Sequence, residues 1–258
     1  MRKANWKIDY ENEVLYLSNN SEAFPFTDQA KFIELSNKKW GNKHLNISVN
    51  GIEDSYTFDT GFSGFIQNDL KFYDKLMSKD STLDFVSLRG LLSADLYGAT
   101  FSETHLFIFD SLSLGAVTIQ DQRMKMKKKG SSLIGNQFFE AFDLTMDWDN
   151  NRLILDPIKG FEADTIKAFE VLIAPNYAET SLEVKGDWLI DTDLKIKMGS
   201  KVVEVNGKDV SSFTKEELCD YWDNQWKDII KGEKLEIMVL EDEVEKNYTL
   251  TKRQYLPY

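Results

Sequence analysis

The 258-residue chain has one cysteine, two histidines and no apolar run approaching 20 residues. A lone Cys219 excludes an intrachain disulfide and reads as a helix-face residue. Two histidines cannot build a His-rich zinc site. His44 and His105 both fall in alternating strand patterns, and neither a metal nor any other cofactor is expected. Without about 20 consecutive apolar residues, no helix is expected to span a bilayer. Basic charge is also scarce, since 31 Lys and Arg stand against 43 Asp and Glu, a net charge of −12. Such a surface cannot neutralise phosphates over a broad face, which argues against nucleic acid as a partner. The one basic cluster, Lys125 to Lys129 broken by Met126, reads as a solvated turn at a strand end. No Gly-Lys-Ser/Thr follows a glycine-rich loop, so no phosphate cradle is visible. Gly61-Phe62-Ser63-Gly64 has Phe65 where a nucleophile elbow needs glycine. The basic start Met1 to Lys7 is followed by no apolar core, so no signal peptide is visible.

The hydrophobic fraction of 42%, with 13% aromatic, is ample for packed cores in one or two domains. The most informative stretch is Phe58-Asp59-Thr60-Gly61-Phe62-Ser63-Gly64. Upstream of it Leu45, Ile47 and Val49 alternate with polar residues, Asn50-Gly51 is a strong hairpin turn, and Tyr56 and Phe58 alternate on the return. Asp59 therefore ends a buried strand. A carboxylate there is costly unless backbone N–H groups or a second acid share its charge. Much later come Leu133-Ile134-Gly135, then Phe138, Phe139 and Phe142 at helical spacing, then a hairpin pattern over Leu144 to Leu155. That hairpin has a counterpart: Lys7 to Leu17 matches Thr145 to Leu155 at a constant offset, with Asp9 and Asp147, and Asn12 and Asn150, in step. The chain thus begins as a lobe would end, and on this reading an ancestral two-lobed protein lies behind the sequence, its first lobe either lost or, with Met1 an internal residue of a longer protein, cut away. Trp6 to Leu17 should then form a hairpin with exposed apolar residues, prone to pair with itself.

At these residues the chain resembles the aspartic proteases in their single-lobe, retropepsin-like form, which carry Asp-Thr-Gly after an apolar strand and an apolar-apolar-Gly triplet threaded against that turn. The resemblance covers roughly residues 21 to 158. It implies a mainly β fold, a single acid-protease-like β-barrel lobe, and a catalytic group made of Asp59, Thr60, Gly61 and Ser63. Leu133, Ile134 and Gly135 would support the site. Phe62, where the family usually has a small residue, would narrow the cleft and contact substrate. Leu91 to Ala99 is the candidate for a flap, with Tyr97 touching substrate. Peptide hydrolysis of this kind needs two carboxylates about 3 Å apart sharing one proton. This chain offers one, so the second is expected from Asp59 of another copy, a homodimer through the lobe, or from an equivalent Asp on a missing lobe. The implied activity is that of an aspartic endopeptidase acting on peptide or protein substrates. Relatives of this type are often exported, so a periplasmic or secreted location is the expectation if the N-terminus is incomplete.

After Pro157 the pattern changes, with Lys159-Gly160 a natural boundary. Lys201 to Val210 alternates up to an Asn206-Gly207 turn, Thr214 and Glu217 form a capping box, and one long helix carries Leu218, Tyr221, Trp222 and Trp226. Leu235, Ile237, Val239, Tyr248 and Leu250 make a last hairpin. Leu194 to Gly207, then helix, then paired strands resemble a PDZ domain of the bacterial, protease-associated type, with Ser200 in place of its usual Asp. Its glycine-rich carboxylate loop is not found in Ala168 to Leu172. The expected division is therefore a hairpin at 1–20, a protease lobe at 21–158 and a smaller α+β PDZ-like domain at 159–258. The runner-up function is a catalytically inactive peptide-binding module made of the same two parts.

Overall fold

The computed structural model describes residues 4–37, 42–95, 98–128, 130–189 and 195–256. The fold is mostly β, with strands throughout and short helices. The chain divides into two compact units, one of Met1–Asp84 and Leu106–Asp164, the other of Phe85–His105 and Thr165–Pro257. No described helix is long and apolar enough to cross a membrane.

Strands are numbered along the chain. The first seven are β1 (Asn5–Asp9), β2 (Val14–Ser18), β3 (Lys31–Glu34), β4 (Ser36–Asn37), β5 (Lys43–Val49), β6 (Ile52–Phe58) and β7 (Ile66–Asp69). Next come β8 (Val86–Asp95), β9 (Gly98–Phe109), β10 (Leu112–Leu114), β11 (Val117–Ile119), β12 (Gln122–Lys127), β13 (Leu133–Ile134), β14 (Phe142–Asp147) and β15 (Arg152–Pro157). In the first unit one sheet has the order β2-β1-β14-β15-β3, and the other runs β11-β10-β5-β6-β13-β7-β12. The first of these is open, ending at β2 and β3, so the expected barrel is not closed among the described residues.

Alternation in the sequence explains the core between these sheets. Leu45, Ile47 and Val49 of β5 and Tyr56 of β6 are fully buried, with Phe138 and Phe139 behind them. Each such side chain contributes roughly 1.5–3 kcal/mol by leaving water. The Asn50-Gly51 turn places both residues at positive φ, as a two-residue hairpin requires. Helix α1 (Leu70–Lys79) is capped by Asp69, which accepts from the N–H of Lys71 and Phe72, and buries Phe72 and Leu76. The placement of Lys125 departs from the solvated turn expected of the basic cluster. It lies inside β12, in parallel register with Gln67 of β7. Burial, and then the neighbouring Lys127, push its ammonium down to about 8.

The two matching hairpins agree in register as well as in sequence. In β1–β2, Trp6 faces Leu17, Lys7 faces Tyr16 and Ile8 faces Leu15. In β14–β15, Leu144 faces Leu155, Thr145 faces Ile154 and Met146 faces Leu153. The turns repeat too: Asp9 accepts from the Asn12 N–H at 2.9 Å and Asp147 from the Asn150 N–H at 3.1 Å. Glu13 and Asn151 both take positive φ. Asp147 is buried, which alone would raise its pKa; hydrogen bonds from Asn150 and Arg152 outweigh burial and hold the carboxyl below the usual range. The sign of the pH effect follows. Its contribution is present above the unfolded carboxyl value of about 3.9 and is lost as pH falls through the lower folded value. Urea unfolding of Asp147→Asn against the parent chain should therefore show a stability gap at neutral pH that closes in acid.

In the second unit the strands are β16 (Ile166–Ala168), β17 (Val171–Asn176), β18 (Ser181–Trp188), β19 (Lys201–Val205), β20 (Lys208–Asp209), β21 (Lys234–Glu241), β22 (Val244–Thr251) and β23 (Arg253–Leu256). The order is β8-β18-β19-β21-β22, with β17 on β18 and β16 paired to β23. β8 joins by pairing Leu88, Arg89 and Gly90 with Trp188, Asp187 and Gly186. The closeness requires both glycines, since a Cβ on Gly90 would lie 2.1 Å from the Lys185 carbonyl oxygen. The single long helix expected after Thr214 runs over residues 215–229, with a wider π segment at Tyr221–Gln225 between α-helical turns at Lys215–Asp220 and Trp226–Ile229, and Leu218, Tyr221 and Trp226 are buried. Its capping box is formed, Thr214 accepting from the Glu217 N–H and Glu217 from the Thr214 N–H. Thr214→Ala should cost about 1 kcal/mol in urea unfolding followed by tryptophan fluorescence.

Candidate active site

Asp59 follows directly on β6, and its position is set by the two-residue strand β13. β13 lies between β6, in parallel register (Leu133 with Thr57, Ile134 with Phe58), and β7, in antiparallel register (Leu133 with Gln67, Ile134 with Ile66). The Asp59 N–H donates to the Ile134 carbonyl at 3.1 Å, and the Phe62 N–H closes the turn on the Asp59 carbonyl at 3.2 Å. The carboxylate is held from within the turn, Oδ1 accepting from the Gly61 N–H at 2.9 Å. Oδ2 accepts no hydrogen bond among the described residues, which leaves it for a further group.

Gly135 sits where the threaded strand meets this turn. A Cβ built there would lie 2.2 Å from the Phe62 carbonyl oxygen, 2.5 Å from that of Gly64 and 2.6 Å from the Phe62 ring. Only glycine permits that approach. The contact is fixed by hydrogen bonds, from the Gly135 N–H to the Phe65 carbonyl at 3.0 Å and from the Asn136 N–H to the Phe62 carbonyl at 2.9 Å. The Asn136 side chain adds two more. Its amide donates to the Thr60 carbonyl at 2.9 Å, and its oxygen accepts from the Tyr10 hydroxyl at 2.9 Å. Burial, with the Glu140 charge, pushes the Tyr10 phenol up to about 12. Sequence reasoning missed Asn136 and Tyr10, although Asn136 directly follows the diagnostic glycine. Asn136→Ala should cost about 1–3 kcal/mol, because it leaves a hydroxyl and a carbonyl unpaired. Thermal unfolding would measure this.

Beside Asp59 lies an open depression of about 360 Å³, lined by Trp6, Lys43, Thr57, Phe58, Met146 and Trp148 among others. The Trp6 ring stacks on Phe58 at 6.0 Å, and Phe58 meets Phe139 edge-on at 4.8 Å. The strand carrying Asp59 is thus wedged between the N-terminal hairpin and the first turn after Gly135. Lys43 places its ammonium 4.6 Å above the Trp148 ring and also donates to Asn151. Burial lowers its pKa. Nothing in the sequence signalled Trp6, Lys43 or Trp148, because the three meet only across strands far apart in the chain.

The remaining anticipated residues fall as follows. Thr60 is half-buried and its hydroxyl makes no hydrogen bond among the described residues; Ser63 is exposed and does not bond Asp59. The half-buried Phe62 ring lies over Gly64 and Gly135, rather than standing clear of the turn. Leu96 and Tyr97 lie outside the described residues. The described part of the flap candidate belongs to β8 and β9, and β8 is paired with β18 inside the second unit.

Chemically, the first unit presents one carboxylate on a glycine turn, held by one backbone N–H at the mouth of an open depression. One carboxylate can accept a proton from water but cannot at the same time donate one to a carbonyl. Asp59 by itself cannot fill both roles.

In the second unit a groove of about 530 Å³ runs between β17 and the helical segments, lined by Phe169, Leu172, Trp188, Trp222, Trp226 and Ile230, with Lys167, Lys227 and Lys252 also on its wall. Trp222 and Trp226 stack at 5.3 Å. Among the described strands β17 pairs only with β18, so its other edge is open.

No protein-family model matches the chain, and no curated protein matches it. Among solved structures, a retropepsin-like aspartic protease from Rickettsia conorii is similar to it at 18% sequence identity and a TM-score of 0.35, over 51% of this chain and 94% of that one.

Proposed function

We propose that the first unit is one lobe of an aspartic endopeptidase, in which Asp59 and a second carboxylate, from another lobe, hydrolyse peptide bonds through an activated water. The observation that carries this reading is the threading of Leu133-Ile134-Gly135 between β6 and β7 against the Asp59-Thr60-Gly61 turn. That arrangement spends a buried glycine contact and six hydrogen bonds on holding one carboxylate in a fixed place. In this reading Asp59 shares one proton with its partner acid, Gly61 holds the carboxylate by its N–H, and Thr60 and Ser63 face the partner turn. Phe62 trims the substrate cleft. Leu133, Ile134 and Gly135 hold the turn in place.

The test is peptide hydrolysis at about pH 4 by the chain purified from its own cells through a C-terminal tag, with whatever partner it carries, beside the recombinant chain alone. Acid-favoured cleavage is expected in the first and none in the second. Cleavage that peaks at alkaline pH would overturn the reading.

A second reading rests on the groove of the second unit. An open strand edge beside an apolar wall suits an extended peptide added as a further strand, as in the PDZ-like fold that the sequence of this region resembles. Peptides with apolar C-terminal residues should bind there and quench the tryptophans. Leu172→Asp should remove that binding and leave any hydrolysis of short substrates unchanged.

A further inference from the structure

The groove of the second unit draws on three strands side by side, β17, β18 and β8. Leu172 of β17 stands opposite Gly186 of β18, Gly186 opposite Gly90 of β8, and Trp188 opposite Leu88. Leu172, Trp188 and Leu88 all line the groove, and every lining residue belongs to the second unit. Leu88 alone comes from a separate stretch of chain, since the others fall between Lys167 and Lys252.

β8 is held in this sheet by little. Its register with β18 covers Leu88, Arg89 and Gly90, whereas β17 is paired from Val171 to Asn176. The close approach of Gly90 to Gly186 brings the backbones together without any side-chain packing between them. Arg89 forks onto Asp187 at 3.1 and 2.6 Å, but its side chain is 56% exposed, and an exposed pair contributes little. Beyond Gly90, β8 runs on to Asp95 and into the flap candidate. β9 lies beside it, with Ser87 and the His105 ring sharing a hydrogen bond of 2.7 Å, and carries the chain back to Phe107 and Phe109 in the core of the first unit.

The charge of the groove points to its ligand. Lys167, Lys227 and Lys252 stand on its wall with no carboxylate among the described lining residues, in a chain whose net charge is −12. An acidic peptide with an apolar end complements both the lysines and the tryptophans.

We infer that such a peptide, added as a strand on the open edge of β17 with its apolar end against Trp188 and Leu88, clamps β8 onto β18. A ligand that touches Leu88 binds better where β8 is docked, and so shifts the population toward that state. Occupancy of the groove thereby fixes the strand that leads into the flap candidate. The clamp rests on the reading of this groove as a peptide site. Any effect on hydrolysis would rest on the peptidase reading as well, and the test does without it.

The full chain is mixed with the synthetic peptide Asp-Glu-Asp-Glu-Thr-Val-Phe, or with Lys-Lys-Lys-Lys-Thr-Val-Phe as its charge-reversed counterpart. Binding is read from tryptophan fluorescence, and backbone hydrogen exchange is mapped. At saturation the acidic peptide should slow exchange over Leu88–Gly90 by about 10-fold or more, and over the β21–β22 hairpin by less than about 2-fold. Leu88→Ala, its fold checked by the unfolding midpoint, should weaken binding and remove the slowing. Quenching without slowing at Leu88–Gly90, or equal slowing throughout the second unit, would overturn the clamp and leave the peptide groove standing. No quenching at millimolar peptide would overturn both. Equal or tighter binding of the lysine peptide would overturn the choice of an acidic ligand.

Discussion

Asp59→Asn is expected to lower peptide hydrolysis by the partnered chain by about 10³-fold or more while leaving its fold and its partner in place. The amide has the shape of the carboxylate and can still accept from the Gly61 N–H, whose 2.9 Å bond holds the side chain within the turn. What it loses is the charge. An acid pair works because it holds one proton between two carboxylates, one oxygen taking a proton from water while the other acid polarises the carbonyl. An amide can do neither. A 10³-fold loss is about 4 kcal/mol of transition-state stabilisation, large against the stability change expected of an isosteric swap at a half-buried site. The measurement is kcat/KM at pH 4 with unfolding curves for both proteins. A rate within a few-fold of the parent would assign the chemistry to another residue.

Gly135→Ala is expected to be the most damaging small substitution in the first unit, about 3 kcal/mol or more in urea unfolding, because the new methyl has nowhere to go. Its nearest neighbours are two backbone carbonyl oxygens, at 2.2 and 2.5 Å, and these cannot swing aside as a side-chain tip can. Relief requires parting β13 from the Asp59 turn, which breaks the bonds from Gly135 to Phe65 and from Asn136 to Phe62. Gly160→Ala is the matched control: a Cβ there meets nothing within 4 Å, and its effect should stay within about 0.5 kcal/mol. Equal effects at the two glycines would show that the close approach at Gly135 carries no weight.

Much of this arrangement is legible in the sequence, for local reasons. Alternation with Asn50-Gly51 fixes the β5–β6 hairpin, and the paired Asp-Asn turns fix β1–β2 and β14–β15, because short-range turn chemistry sets register without help from the rest of the chain. The contact of Leu133-Ile134-Gly135 with the Asp59 turn came from resemblance to a family pattern; propensity would never connect segments 70 residues apart. Other features depend on packing. Lys125 reads as solvated because it sits among lysines, yet it belongs to β12, on the face opposite the buried Met124 and Met126, where it is half-buried. That β8 would pair with β18 depends on the glycine pair at 90 and 186, which has no short-range signature. The π segment at Tyr221–Gln225 is likewise not legible, since the helical spacing alone calls for regular α turns throughout.

The most direct test of the central claim, that Asp59 is one of two carboxylates sharing a proton, is calorimetric titration of the partnered chain with a peptide mimic carrying a hydroxyl in place of the scissile carbonyl. The singly protonated pair grips such a hydroxyl between its two acids, so affinity should be highest in acid, fall as pH rises and the shared proton is lost, and vanish in Asp59→Asn. Binding that is the same in Asp59→Asn, or that strengthens as pH rises, would contradict it.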